Sequence, residues 1–211
     1  MPTFPAERAT VDKPLTLAML KEVGAGAFFR PSQAAELGIG PEHLRRLVAA
    51  GIVEHFSRGL YRLTDAEPTA HYTLAAVAAR VPLSVVCLLS ALQVHEITTQ
   101  LPHRVWIGIP HKARPPRLPE IAIQLVRFTG ASWTYGVEET RFEGVPARIT
   151  NPARTVVDCF RFRRLVGHDV AQEALRDALR ERLSTPAQIW RTAEMCRARS
   201  LVGPYLEALT G

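Results

Sequence analysis

The chain has 211 residues, a net charge of +6 and a sequence pI near 9.7. That length holds one large domain or two small ones, and 47% hydrophobic beside 22% charged residues is ordinary for a globular protein. No apolar run approaches the roughly 18 residues of a helical span, no basic-then-apolar leader opens the chain, and the dispersed Cys87, Cys159 and Cys196 exclude a disulfide framework or a CxxC zinc signature.

Residues 1–14 read as a loose arm and 15–23 (LTLAMLKEV) as a first helix by apolar spacing. The stretch 28–63 then organises the N-terminal part. Residues 31–37 form a short helix with Pro31 in its first turn. Gly38-Ile39-Gly40 is a tight turn, because two glycines take positive φ cheaply. Residues 41–50 form a second helix, closed by Gly51. Residues 52–56 and 60–63 alternate as two short strands, with Ser57-Arg58-Gly59 as the hairpin loop between them. Helix, turn, helix and hairpin make a winged helix-turn-helix.

On the second helix of this motif, Leu44, Leu47 and Val48 share one face and are expected to pack inward. Arg45 and Arg46 lie opposite, with His43 on the flank. A recognition helix of this kind fits the major groove, where arginine pairs with guanine edges. Arg58 at the hairpin tip, with Arg62 beside it, is placed to reach phosphate or the minor groove. Ser32 and Gln33 offer first-turn N–H groups to phosphate. Yet residues 1–64 hold eight basic and six acidic side chains, a net charge of only +2, so most of the basic balance lies downstream.

The polar cluster ending at Pro68 marks a boundary, giving domains 1–66 and 67–211. Residues 69–80 read as an alanine-rich helix. Residues 84–95 (SVVCLLSALQVH) are apolar on nearly every face and are expected to form one buried helix. Residues 104–109 and 121–128 alternate as strands, separated by the proline-rich basic loop 110–119. Residues 137–141 and 145–150 form a hairpin around Glu143-Gly144. Asn151 caps a helix that starts at Pro152 and turns Val156, Val157 and Phe160 inward. Asp169 caps the next, Ser184 or Thr185 a third, and 200–209 forms a fourth. The fold class is α+β: an N-terminal winged helix-turn-helix, then a small β-sheet domain with a helical C-terminal tail.

Catalytic signatures are missing. There is no P-loop and no kinase-type motif. His95-Glu96 does not continue into HExxH, because position 99 is Thr. His103 and His111 match no ligand spacing. Asp158 is most simply the i,i+4 ion-pair partner of Arg154, and Ser90 a core hydroxyl bonding its own backbone. No catalytic residue, metal or cofactor is expected.

Three segments carry a resemblance: AGIVEHFSRGLYRL, then Ser90, Ala91, Leu92 and His95 in LLSALQVHEI, then Thr150, Pro152, Arg154, Thr155 and Asp158 in ITNPARTVVDCF. In this order they resemble the AbiEi-type antitoxins of type IV toxin–antitoxin systems, out to about residue 180. The resemblance implies a bacterial cytoplasmic protein that binds and represses the promoter of its own operon. It also implies a cognate toxin with a nucleotidyltransferase fold, neutralised by the second domain. Residues 104–127 carry Arg104, Lys112, Arg114, Arg117 and Arg127 against Glu120 alone, and residues 148–164 carry five arginines against Asp158 alone, so each stretch has a net charge of +4. Lys112, Arg114, Arg117 and Arg154 are therefore candidate contacts to DNA or toxin. Two alternatives stay open: a module that sequesters the toxin without reading DNA, and an antitoxin that inactivates the toxin enzymatically, for instance by phosphorylation.

Overall fold

The structure is a computed structural model that describes residues 28–66, 71–98 and 102–210. The arm at 1–14, the helix expected at 15–23 and the start of the helix expected at 69 lie outside these residues. The chain is mixed α+β and divides into two compact units: Met1–Tyr72 with Glu143–Val145, and Thr73–Phe142 with Pro146–Gly211.

The first unit runs β1 (Phe28–Phe29), α1 (Pro31–Glu36), α2 (Pro41–Ala49), β2 (Val53–Ser57) and β3 (Leu60–Leu63). Helices α1 and α2 are joined by the expected turn, with Gly38 at φ 78°. Gly51, at φ 68°, ends α2, as a residue without Cβ can do at no steric cost. The three strands form an antiparallel sheet in the order β1-β3-β2. The short β1, which propensity alone does not flag, pairs Phe28 with Arg62 and Phe29 with Tyr61. Ser57 belongs to β2 and pairs with Leu60, the register shifts between His55 and Ser57, and Gly59 takes φ 69°. Phe29, Ala34, Ile39, Leu44, Leu47, Ile52, Val53 and Leu63 make the core. Val48, expected to face inward, is instead 36% exposed at the edge of the apolar stripe, while Leu44 and Leu47 are buried.

The second unit holds α3 (Tyr72–Arg80), β4 (Val85–Val86), α4 (Leu88–Val94), β5 (Val105–Pro110), β6 (Ile123–Phe128), β7 (Val137–Phe142), β8 (Val145–Thr150), α5 (Pro152–Arg161), α6 (Arg163–Val166), α7 (His168–Arg180), α8 (Pro186–Met195) and α9 (Arg199–Thr210). Tyr72 at the start of α3 and the β7–β8 turn fall to the first unit in the division above. A five-stranded mixed sheet has the order β6-β5-β4-β8-β7. Strand β4 pairs antiparallel with β5 and parallel with β8, whereas β5 and β6 pair in parallel. The single helix expected over 84–95 is therefore corrected. Its first third is a central strand, and the chain turns sharply into α4 at Leu88, whose φ is 50°. A short, wholly apolar run satisfies a buried strand and a buried helix equally, and the two valines decide for the strand once neighbours exist on both sides.

Helix α5 is the hub. Its residues Ala153 to Phe160 are all buried, and it packs on α4, α7 and α8. Asn151 caps it as expected, accepting a hydrogen bond from the Arg154 N–H at 2.9 Å. Thr185 caps α8 in a reciprocal box with Gln188. Asp169 is not the cap of α7: Gly167, at φ 101°, holds that position, and Asp169 sits in the first turn.

Candidate nucleic-acid interface

On α2 the side chains separate as the wheel requires. Leu44 and Leu47 are buried, while Arg45 and Arg46 are exposed. Arg45 Nη1 donates to Glu42 Oε2 at 3.0 Å, with both side chains open to water. Such a pair contributes little, about 0–1 kcal/mol, and exchanges readily for a phosphate. Arg46, and Arg58 at the β2–β3 turn, are exposed and form no ion pair among the described residues. His43 is half-buried, and its Nε2 is shielded from solvent without a hydrogen-bond partner.

Two nominated residues of this unit are already engaged. Arg62 Nη1 donates to Glu54 Oε1 at 2.8 Å across the β2–β3 pair, and its guanidinium lies 4.9 Å from the Tyr72 ring centroid. Its charge is thus answered within the unit and does not project from the hairpin. Gln33 Oε1 accepts the Arg30 N–H at 2.8 Å and so caps α1, while Ser32 is exposed in its first turn.

The basic loop of the second unit has a structural reason. Parallel strands β5 and β6 require the chain to return from one end of the sheet to the other, and residues 111–122 make that return in irregular, proline-rich backbone. Both ends are pinned. Arg127 Nη1 donates to the carbonyls of Pro110 at 3.4 Å, of Ala113 at 3.0 Å, and of His111. Arg80 Nη1 donates to Glu120 Oε2 at 2.7 Å. The Glu120 carboxyl is held below its ordinary range by a hydrogen bond to its own backbone and by the Arg80 guanidinium. Between the pins, Lys112, Arg114 and Arg117 are exposed and form no ion pair among the described residues.

Arg154 behaves otherwise. Its side chain and that of Asp158 are both 0% exposed, so it is not a surface contact. Its Nε donates to Asp158 Oδ2 at 2.8 Å, Nη1 to the Tyr135 carbonyl at 2.5 Å and Nη2 to the Ser132 carbonyl at 2.6 Å. The guanidinium also lies 4.8 Å from the Phe128 ring centroid. Arg161 Nη1 donates to the other carboxylate oxygen of Asp158 at 2.7 Å. Burial pushes the Asp158 carboxyl above its ordinary range, and the two guanidiniums hold it part of the way back.

The other motif residues join the same scaffold. Thr155 Oγ1 donates to the Asn151 carbonyl at 2.8 Å and is 2.7 Å from Thr150 Oγ1. His95 Nε2 meets the Thr150 carbonyl at 2.6 Å. Ser90 is a core hydroxyl, but it accepts the Trp106 N–H at 2.9 Å and ties α4 to β5 rather than bonding its own backbone. The SALxxH and TxPxRTxxD segments therefore hold the β8–α5 junction together. Among the described residues, no group of three or more His, Cys, Asp or Glu side chains is placed to hold a metal, and no helix is long and apolar enough to cross a membrane.

Residues 19–64, which contain α1, α2 and the hairpin, match the family described as "Transcriptional regulator, AbiEi antitoxin". That match carries the resemblance for this part of the chain and supports an antitoxin and regulator role. Among solved structures, that of the RV2827C protein from Mycobacterium tuberculosis is similar, with a TM-score of 0.55 at 16% identity, covering 93% of this chain and 80% of that one. At that identity the likeness is one of fold. No curated protein matches the chain.

Proposed function

We propose that this chain is a DNA-binding antitoxin and autorepressor of a type IV toxin–antitoxin system. In this reading residues 1–66 are a winged helix-turn-helix with α2 as the recognition helix, and residues 67–211 are the antitoxin domain. The partners are the promoter DNA of its own operon and a cognate toxin of nucleotidyltransferase fold; the compartment is the cytoplasm and the role is phage defence. The observation that carries the DNA half is the pair of exposed arginines without ion-pair partners among the described residues: Arg46 on the helix after the turn, and Arg58 at the hairpin tip. Arg45, Ser32 and the flanking His43 complete the contact surface, while Arg62 supports the hairpin. Lys112, Arg114 and Arg117 add a second anionic contact, to DNA or to the toxin.

The test is a gel shift of the full chain on its own promoter and on random DNA, beside co-expression with the toxin. Promoter-selective binding and growth rescue support the reading. Rescue without any DNA binding selects the sequestering module instead. Rescue that leaves a covalent mark on the toxin selects the enzymatic alternative.

A further inference from the structure

A concavity lies in the helical part of the second unit. It has a volume of about 450 Å³ and is walled by the 3₁₀ turn Gly130–Trp133, by Arg161 of α5 and by the segment that joins α8 to α9. Its lining holds two arginines, Arg161 and Arg197, and no carboxylate among the described residues. Asp158 does not neutralise this corner, because one carboxylate faces both Arg154 and Arg161. One positive charge is left over, and its solvent end is Arg161, the partly exposed member of the trio. Arg197 is exposed and forms no ion pair among the described residues. Like charges gathered in one concavity focus a positive potential that an anion relieves. Met195 and Leu201 give the same cavity an apolar wall, and Ser132 lines it as well. Guanidinium forks match phosphate oxygens two at a time. The volume falls in the lower part of the range of small-molecule pockets, roughly 300–1,000 Å³.

We propose that this cavity binds a small phosphate-bearing molecule the size of a nucleoside monophosphate. The phosphate sits between Arg161 and Arg197, and the apolar face of the molecule rests on Met195 and Leu201. A duplex presents its phosphates on a convex rod, so the concavity suits a small molecule rather than DNA. This site is independent of the DNA reading above.

The experiment uses the full chain with adenosine monophosphate, inorganic phosphate and adenosine as probes. Binding is followed by calorimetry. Adenosine monophosphate is expected to bind more tightly than phosphate, and adenosine not at all. Arg197→Gly is expected to weaken binding at least tenfold. Arg197 has φ 54°, so glycine removes the charge without adding backbone strain. Arg161→Lys, which keeps a cation beside Asp158, is expected to retain part of the affinity. Failure of both phosphate-bearing probes to bind overturns the proposal. So does equal binding by Arg197→Gly.

Discussion

Arg154 is the residue on which the second unit most depends. Its guanidinium donates to one carboxylate and two carbonyls from a wholly buried position, so removing it strips partners from the groups it serves. Arg154→Met is expected to cost about 3–5 kcal/mol, the usual range for breaking a buried pair from one side. Adding Asp158→Leu should recover part of that loss, because the stranded carboxylate then disappears. Urea denaturation decides: a loss below about 1 kcal/mol for the single variant would mean that the buried pair contributes little. The cysteines give a second check. Burial pushes the Cys87 and Cys159 thiols well above their ordinary range, with the Asp158 carboxylate adding to it, so neither forms the reactive thiolate at neutral pH. A disulfide reagent should leave both untouched in the native protein and react with both after denaturation; rapid native labelling of either would contradict the packing. The i,i+4 relation of Arg154 and Asp158 is legible in the sequence, but their burial is not. It depends on α5 being covered by helices far along the chain, and for that reason Arg154 reads as a surface contact until the fold is known.

The elements themselves follow local chemistry closely. Gly38, Gly51 and Gly59 sit at positive φ, and Asn151 and Thr185 cap the helices they precede. These signals need only a few neighbouring residues, so the sequence displays them. Strand β4 and the division of 84–95 into strand and helix rest on pairing with β5 and β8, which no local window contains. For α2 and the hairpin, the proposed function predicts two distinct defects. Arg46→Ala should cost roughly 1–3 kcal/mol on the operator and relax sequence preference, as removal of a guanine contact would. Arg58→Ala should weaken operator and random DNA alike and flatten the salt dependence. Salt-titrated gel shifts separate them, and an equal reduction on both DNAs for Arg46→Ala would end its base-reading role.

At the scale of the whole chain, charge and fold are unevenly shared. The first 64 residues carry a net +2 of the total +6, so on their own they should hold DNA weakly, since affinity rises with the phosphates neutralised. The N-terminal piece is best ended at Tyr72, whose ring stacks on Phe28 at 5.3 Å and receives Arg62. Residues 1–72 are expected to bind operator less tightly than the full chain. The triple alanine variant of Lys112, Arg114 and Arg117 should lower the salt slope of the full chain by about 0.9 for each phosphate it no longer neutralises. Residues 73–211 are expected to neutralise the toxin in co-expression. If residues 1–72 match the full chain on DNA, the second unit does not touch it. If residues 73–211 fold without rescuing growth, neutralisation requires the N-terminal unit.

The return segment between β5 and β6 also bears on how the protein meets proteases. Exposed loops are where nicking concentrates, and trypsin has Lys112 and Arg117 there, while the bond after Arg114 is shielded by Pro115. The strands on either side are hydrogen-bonded to each other along their length, from Val105 with Ile123 to Pro110 with Phe128. A single cut should therefore yield two fragments that migrate apart in denaturing gels and elute together in native chromatography. Complementation of this kind would let the charged segment be severed, and its contribution to binding read out, without unfolding the sheet.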